Sequence, residues 1–410
     1  MEVSTRIRAV YEISNGQRRL VPIEGLRGFA VLLVFFVHFD AFFGRYASLH
    51  PLIKRLSVIL GNIGNTGVDL FFVLSGALIY GALIRRKVSY FKFIGRRLER
   101  IYPAFLAVFC IYLILSAVFP GESKIHGSLS SASLYVLENA LLLPGILPII
   151  PIITVAWSLS YEFFFYLIIP IVVGVTRMRA WKGASRVAFF VGLWLFYLLY
   201  AFTVPRSQVR LLMFIAGILL YEAMDSTWLK RRLTRWGEIF SIVIFLASLA
   251  FVYLYDAHAN WFGFLPGLTE GRTVLPGIPT FQGPYKVIVL SISCTMLVFY
   301  SVEFDGLLRR FFSWNPLRYL GNMSYSYYLI HGLALHALAM ILYSIVPEGQ
   351  PKLSVFLLAL PVGFAMTWVA ASILFILVEK PMSLRRHLAG VAEREQVGDT
   401  LKPLRAGRRD

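Results

Sequence analysis

The sequence predicts an all-α, polytopic membrane protein with about ten transmembrane helices and both termini cytoplasmic. Three observations carry that expectation. First, 58% of the 410 residues are hydrophobic and only 15% are charged, whereas soluble domains run near half apolar and a quarter charged. A bilayer, not water, accommodates that much apolar surface. Second, ten apolar runs are long enough, or nearly so, to cross about 30 Å of hydrocarbon as helices. Third, most of the 40 Lys and Arg fall in alternate connections once the N-terminus is placed in the cytoplasm, as the positive-inside rule requires.

The runs are 28–46, 66–84, 101–119, 154–176, 187–204, 207–224, 237–255, 284–303, 320–346 and 353–379. None shows barrel-type alternation, and only helices or closed barrels satisfy their backbone in lipid. The fifth and sixth runs are divided only by Val204 to Gln208, with Pro205 and Arg206 supplying the break. Two outward loops are long. Pro120 to Ile153 contains a moderately apolar stretch, Ala132 to Leu143, that either lies along the interface or dips into the bundle. Tyr255 to Gly283 is rich in Gly, Pro and aromatics, and loops of that length are often functional. The organisation is therefore a cytoplasmic segment (1–19), one transmembrane domain (20–382) and a basic, flexible cytoplasmic tail (383–410).

The net charge of +18 does not indicate nucleic acid, because the cations sit in short loops between apolar runs. Cys110 and Cys294 lie inside such runs and are expected to be small buried hydrophobes, not a disulfide. His50, His126, His258 and His387 fall in loops or the tail, and neither an HExxH nor a CxxC pattern is present. No protein-bound metal is expected.

Ionisable groups inside a bilayer are costly, so each needs a reason. In LRGFAVLLVFFVHFDAFF, His38 follows Arg27 by eleven residues. At about 100° and 1.5 Å per residue this places both on one face, with His38 roughly 16 Å deeper. Aligned in this way they read as a polar stripe lining a cavity, and neutral imidazole is suited to accept a hydroxyl proton. In GVDLFFVLSGALIY, Asp69 is either a first-turn carboxylate facing the helix dipole or a functional group; Ser75 and Gly76 suit close helix packing. Glu162, in AWSLSYEFFFYLIIP, must pair, stay protonated or face water. His331 lies near mid-depth in GNMSYSYYLIHGLALHAL, after a stretch made polar by Ser324, Tyr325, Ser326, Tyr327 and Tyr328; His336 reads as packing. Finally, Lys92, Arg96, Arg97 and Arg100 put four cations just before the third run. They serve either as membrane anchors or as contacts for a polyanionic phosphate ligand.

At these residues the chain resembles the membrane acyltransferase family 3, the polysaccharide, lipooligosaccharide and antibiotic O-acyltransferases. The resemblance rests on IEGLRGFAVLLVFFVHF, NTGVDLFFVLSG, FIGRRLERIYPAF, WSLSYEFFFYLIIP, GNMSYSYYLIHG and the closing VEKP from Val378 to Pro381, in the family's order. It implies a ten-helix enzyme of the bacterial inner membrane. Such an enzyme takes acetyl-CoA or another acyl-CoA from the cytoplasm and acylates a hydroxyl of a glycan or glycolipid. By the same resemblance His38 is the catalytic base, and Arg27, Arg96, Arg97 and Arg100 hold donor phosphates. Glu162 and Asp69 are candidate catalytic carboxylates on the acceptor path, together with His331, Ser75 and Tyr325. The chain departs from the more frequent WSLSVEEQFY at Tyr161, Phe163 and Phe164, nearer to some exopolysaccharide acetylases. The rival reading is a transporter or lipid-linked-glycan flippase using intramembrane His and Glu as a proton relay. It would favour internal repeats and paired broken helices, and the sequence has no evident repeat.

Overall fold

The computed structural model describes residues 8, 10–13, 20–47, 50–204, 208–257, 283–346 and 353–384, and every regular element among them is helical. The expected tail and the Gly/Pro-rich loop fall almost wholly outside the described residues. The helices are α1 (Leu20–Phe43), α2 (Pro51–Gly64), α3 (Thr66–Arg85), α4 (Tyr90–Val118), α5 (Leu129–Ala140), α6 (Ala156–Val175) and α7 (Gly183–Thr203). They continue with α8 (Leu211–Asp225), α9 (Arg235–Ala257), α10 (Pro284–Glu303), α11 (Asn315–Asn322), α12 (Ser324–Ile345) and α13 (Leu353–Leu374), which runs on as a π-helix over Phe375–Leu384.

Among the described residues nine helical stretches are long and apolar enough to cross a membrane, which makes this a multi-pass membrane protein. The tenth expected run is α8. Its 15 residues rise only about 22 Å, and its walls are protein: Leu212, Met213, Phe214, Ile218 and Leu220 are all buried. With α8 counted beside the nine, ten helical stretches among the described residues run between two ends of the bundle. At the arginine-rich end, Arg179 Nε donates to the Leu83 carbonyl (2.7 Å), Arg186 pairs with Glu222 (2.6 Å), Lys230 with Glu303 (3.7 Å) and Arg318 with Glu24 (3.0 Å). At the opposite end, Gln208 Nε2 donates to the Ile146 carbonyl (3.3 Å) and Tyr343 Oη to that of Phe42 (2.8 Å).

In lipid, helices gain little by hiding apolar side chains from one another, so close backbone approach does more of the work. α3 and α8 meet through Gly76 and Gly217. A Cβ on Gly76 would fall 2.2 Å from the Phe214 carbonyl oxygen, and one on Gly217 would fall 2.2 Å from that of Val73. α1 meets α11 in the same way, a Cβ on Gly321 falling 1.7 Å from the Glu24 carbonyl oxygen. Exposed Leu106, Ile111, Ile114, Phe196, Leu199, Ile373 and Leu377 form the outer apolar belt.

Three places add to or correct the sequence reading. Residues 51–64 are helical, an amphipathic lead-in to α3 that shows Leu52 and Leu56 on its outer face. The stretch around Ala132 to Leu143 lies on the surface as α5, fastened at one end by buried Asn139, whose Oδ1 accepts from the Ile152 backbone N–H (2.7 Å). Cys294 is buried as expected, but Cys110 is exposed on the outer face of α4. The short described N-terminal segment docks at the arginine-rich end: Tyr11 Oη donates to Ser372 Oγ (2.8 Å), and Glu12 pairs with Arg318 (3.0 Å).

Candidate active site

α4 begins at Tyr90, eleven residues before the third apolar run, so the basic cluster is itself helical. Arg97 and Arg100 are three residues apart and share a face. Both line a cavity of about 190 Å³ between α1, α3, α4, α6 and α12. Arg96 is turned about 100° from Arg97 and is exposed, outside the cavity lining. Of the four cations proposed for a donor, the structure therefore brings Arg27, Arg97 and Arg100 together and leaves Arg96 out.

The three cavity arginines are not equivalent. Arg100 forms an ion pair with Glu379 (2.8 Å). Arg97 lies against the rings of Phe93 (5.3 Å) and Tyr166 (5.6 Å), and its buried Nε has no hydrogen-bond partner among the described residues. Arg27 has no ion pair or hydrogen bond among the described residues. Deeper in the same cavity, Glu162 accepts hydrogen bonds from Ser75 Oγ (2.5 Å) and from Tyr166 Oη. Two hydroxyl donors therefore hold this intramembrane carboxylate, and neither Arg27 nor Arg97 lies within ion-pair distance of it. Tyr325 lines the wall, its hydroxyl donating to the Ile101 carbonyl (2.7 Å).

At its far end the cavity is bounded by Ser158 and Tyr328, whose hydroxyls share a hydrogen bond (2.7 Å). Tyr328 also borders a pair of histidines, its ring centroid 5.9 Å from that of His331. His331 and His38 meet edge to face at 4.7 Å, with His331 Nε2 3.3 Å from His38 Nδ1. The carbonyls around them fix the protons. His331 Nδ1 is 3.0 Å from the Tyr327 oxygen and 2.8 Å from the Tyr328 oxygen, and only an N–H makes a favourable contact with a carbonyl. In neutral His331 that leaves Nε2 as an acceptor. It takes a hydrogen bond from His38 Nδ1–H, which is shared with the Val34 carbonyl (2.9 Å). The lone pair of His38 is then on Nε2, which no described group engages.

The cavity thus holds three guanidiniums and a hydrogen-bonded carboxylate, with two imidazoles in contact just beyond its wall. The profile of a family described as an acyltransferase domain matches residues 21–376. The chain belongs to acyltransferase family 3. It is similar to the O-acetyltransferase OatA of Staphylococcus aureus (strain NCTC 8325 / PS 47), at 24% identity over 89% of this chain and 57% of that protein. It therefore spans little more than half of that relative's length. It is also similar to the exopolysaccharide production protein ExoZ of Rhizobium meliloti (strain 1021), at 26% identity over 68% of this chain and 78% of ExoZ. The acyltransferase MdmB of Streptomyces mycarofaciens is 32% identical over 42% of this chain and 44% of its own. No solved structure matches the chain.

In this family member Arg27 and His38 both face inward, but only Arg27 lines the cavity; His38 is reached by way of Tyr328 and His331. Asp69 is also outside the lining. Fully buried in the first turn of α3, it lies 3.4 Å from Arg210 Nε, whose guanidinium stacks on Trp157 (4.9 Å). His331 is fully buried and outside the lining, and its ring meets that of His38. His336 stacks on Phe42, as its packing reading required. Three participants are not singled out by the sequence reading, Tyr166, Arg210 and Glu379, and Tyr328 enters it only as part of a polar stretch. Both Arg210 and Glu379 are ionisable residues at the margin of an apolar run, and that position is the signal that marks them.

Proposed function

We propose that this protein is a membrane O-acyltransferase of the bacterial inner membrane. It moves an acetyl group from acetyl-CoA in the cytoplasm to a hydroxyl of a sugar in a cell-surface or exported glycan or glycolipid. One observation carries this reading: Arg27, Arg97, Glu162 and Tyr328 line one cavity, and beyond its wall Tyr328 borders His331, whose ring meets His38. A polyanionic donor suits guanidiniums that lack a carboxylate partner, and the arginine-rich end is cytoplasmic by the positive-inside rule. The thioester then extends along the cavity, and the acceptor enters from the opposite end.

In the reaction, His38 Nε2 takes the proton of the acceptor hydroxyl as its oxygen attacks the thioester carbon. The tetrahedral adduct collapses, the carbon–sulfur bond breaks, and the proton on His38 passes to the departing thiolate. His331 holds His38 in the required tautomer, as the orienting member of a triad does for its base. The sugar acceptor is suggested by the O-acetyltransferase and exopolysaccharide production relatives.

The test is transfer of label from acetyl-CoA into the glycan of native membranes. His38→Ala should lower transfer by at least about a hundredfold, the ordinary weight of a general base. Near-normal labelling by that variant at equal membrane abundance would remove His38 from the mechanism. Movement of unlabelled glycan across the membrane without covalent label would indicate a transporter.

A further inference from the structure

We infer that Glu379 is a positioning residue for the donor, setting the Arg100 guanidinium in the cavity wall and bracing the helix that carries His331. This rests on the donor reading above. Glu379 does not line the cavity; it is fully buried within the π-helical stretch Phe375–Leu384. Its two oxygens have different partners. Oε1 is 2.8 Å from Arg100 Nη1 on α4, while Oε2 accepts from the Ser326 backbone N–H (3.1 Å) and from Ser326 Oγ (2.5 Å).

Ser326 is the third residue of α12, a helix without a side-chain cap of its own. First-turn N–H groups have no partner within a helix, and a carboxylate is favoured at that end of the dipole. Glu379 supplies the cap from a different helix. The neighbouring Tyr325 fastens α12 to α4 through the Ile101 carbonyl and lies beneath Arg100, with the guanidinium 5.9 Å from its ring. One carboxylate thus joins the last span, the arginine helix and the start of α12. One and two residues beyond Ser326, α12 presents the Tyr327 and Tyr328 carbonyls to His331.

Stability alone is a poor account of this arrangement. A buried ion pair can often be replaced by apolar groups at no loss, and here the cationic partner is aimed at a cavity. A π turn inserted into an α-helix is likewise frequent at functional sites. Glu379 also distinguishes Arg100 from its neighbours: it holds that guanidinium in a close ion pair, whereas Arg27 and Arg97 have no carboxylate within ion-pair distance among the described residues.

The experiment uses the full chain in detergent and in native membranes. Free coenzyme A serves as the probe for thermal stabilisation, and labelled acetyl-CoA as the probe for transfer. E379Q keeps an oxygen for Ser326 but loses the ion pair. It should raise the coenzyme A concentration for half-maximal stabilisation, and the KM for acetyl-CoA, by about tenfold, the weight of one charged hydrogen bond. The maximal transfer rate should stay within about twofold, since the base is untouched. R100Q should reproduce the shift, and E379Q/R100Q should be no worse than R100Q alone. An unchanged coenzyme A midpoint in E379Q, or additive losses in the double variant, would overturn the inference while leaving the donor reading intact. If wild-type protein gives no coenzyme A response, the donor reading itself falls and takes this inference with it. Should E379Q fail to accumulate, the paired variant R100M/E379L removes both charges together; folded protein with an unshifted midpoint would equally overturn the inference.

Discussion

The chemistry at the centre of the bundle depends on where two protons sit. His331 Nδ1 faces two carbonyls, so its Nε2 accepts from His38 and the second imidazole is oriented in turn. His331→Phe keeps a ring in the space and removes the acceptor. It should lower the maximal transfer rate by at least about tenfold, yet less than the loss of His38 itself, with little change in the acetyl-CoA concentration required. Measuring rate against acetyl-CoA concentration separates the two effects; a pure rise in KM would show that His331 contacts substrate instead. Asp69 calls for a different measurement. It is fully buried beside Arg210, whose side chain is 5% exposed. Removing one member of such a pair leaves an uncompensated charge and costs about 3–5 kcal/mol. Asp69→Asn should therefore lower the thermal midpoint in detergent, and Asp69→Asn combined with Arg210→Gln should recover much of it. If the single variant unfolds normally but transfers no label, Asp69 acts in the reaction after all.

At the level of helices, glycine contacts set the spacing on which those residues depend. Gly217→Ala would drive a methyl group to 2.2 Å from the Val73 carbonyl oxygen, a backbone atom that moves only with all of α3. α3 also carries Ser75, the partner of Glu162. A cost of roughly 1–3 kcal/mol, the usual range for overpacking, should appear as a lower thermal midpoint. Gly95→Ala meets nothing within 4 Å and should stabilise α4 by about 0.5–1 kcal/mol. Equal effects of the two substitutions would mean that α3 and α8 do not approach as closely as described. Much at this level was legible in the sequence. Apolar runs gave the long helices, and costly residues such as Arg27, Ser75 and Glu162 do line one cavity. The failures have physical causes. Polar residues can begin a helix before its apolar part, so the start of α4 at Tyr90, and with it the outward turn of Arg96, was hidden. Likewise 51–64 is amphipathic and falls below the apolarity of a span. Pairings across the chain leave no local trace: His38 and His331 are 293 residues apart, and no periodicity connects Arg100 with Glu379.

For the molecule as a whole, the decisive element is the shortest pass. A 15-residue helix spans about 22 Å, less than the hydrocarbon thickness of about 30 Å. Protein surrounds α8, which lets so short a helix cross: α3 lies against it along the glycine contacts, and most of its residues are buried. Its two ends are tied to opposite ends of the bundle, through Arg210 to Asp69 and through Glu222 to Arg186 and Tyr80 (2.7 Å). If α8 crosses, the basic connection after it lies on the same side as the one after α3, and the positive-inside asymmetry survives to the last helix. If it does not, every later connection exchanges sides and the arginine-rich end is split between two compartments. Single cysteines decide between these, placed in a Cys110→Ala, Cys294→Ala background and probed with a membrane-impermeant thiol reagent on intact cells. Lys87→Cys, Thr227→Cys and Asp305→Cys should be protected until the membrane is opened, whereas Ser123→Cys should react at once. Reaction of Thr227→Cys on intact cells would show that α8 does not cross. The cluster of Arg27, Arg97 and Arg100 could then no longer be assigned a cytoplasmic donor on the strength of charge alone.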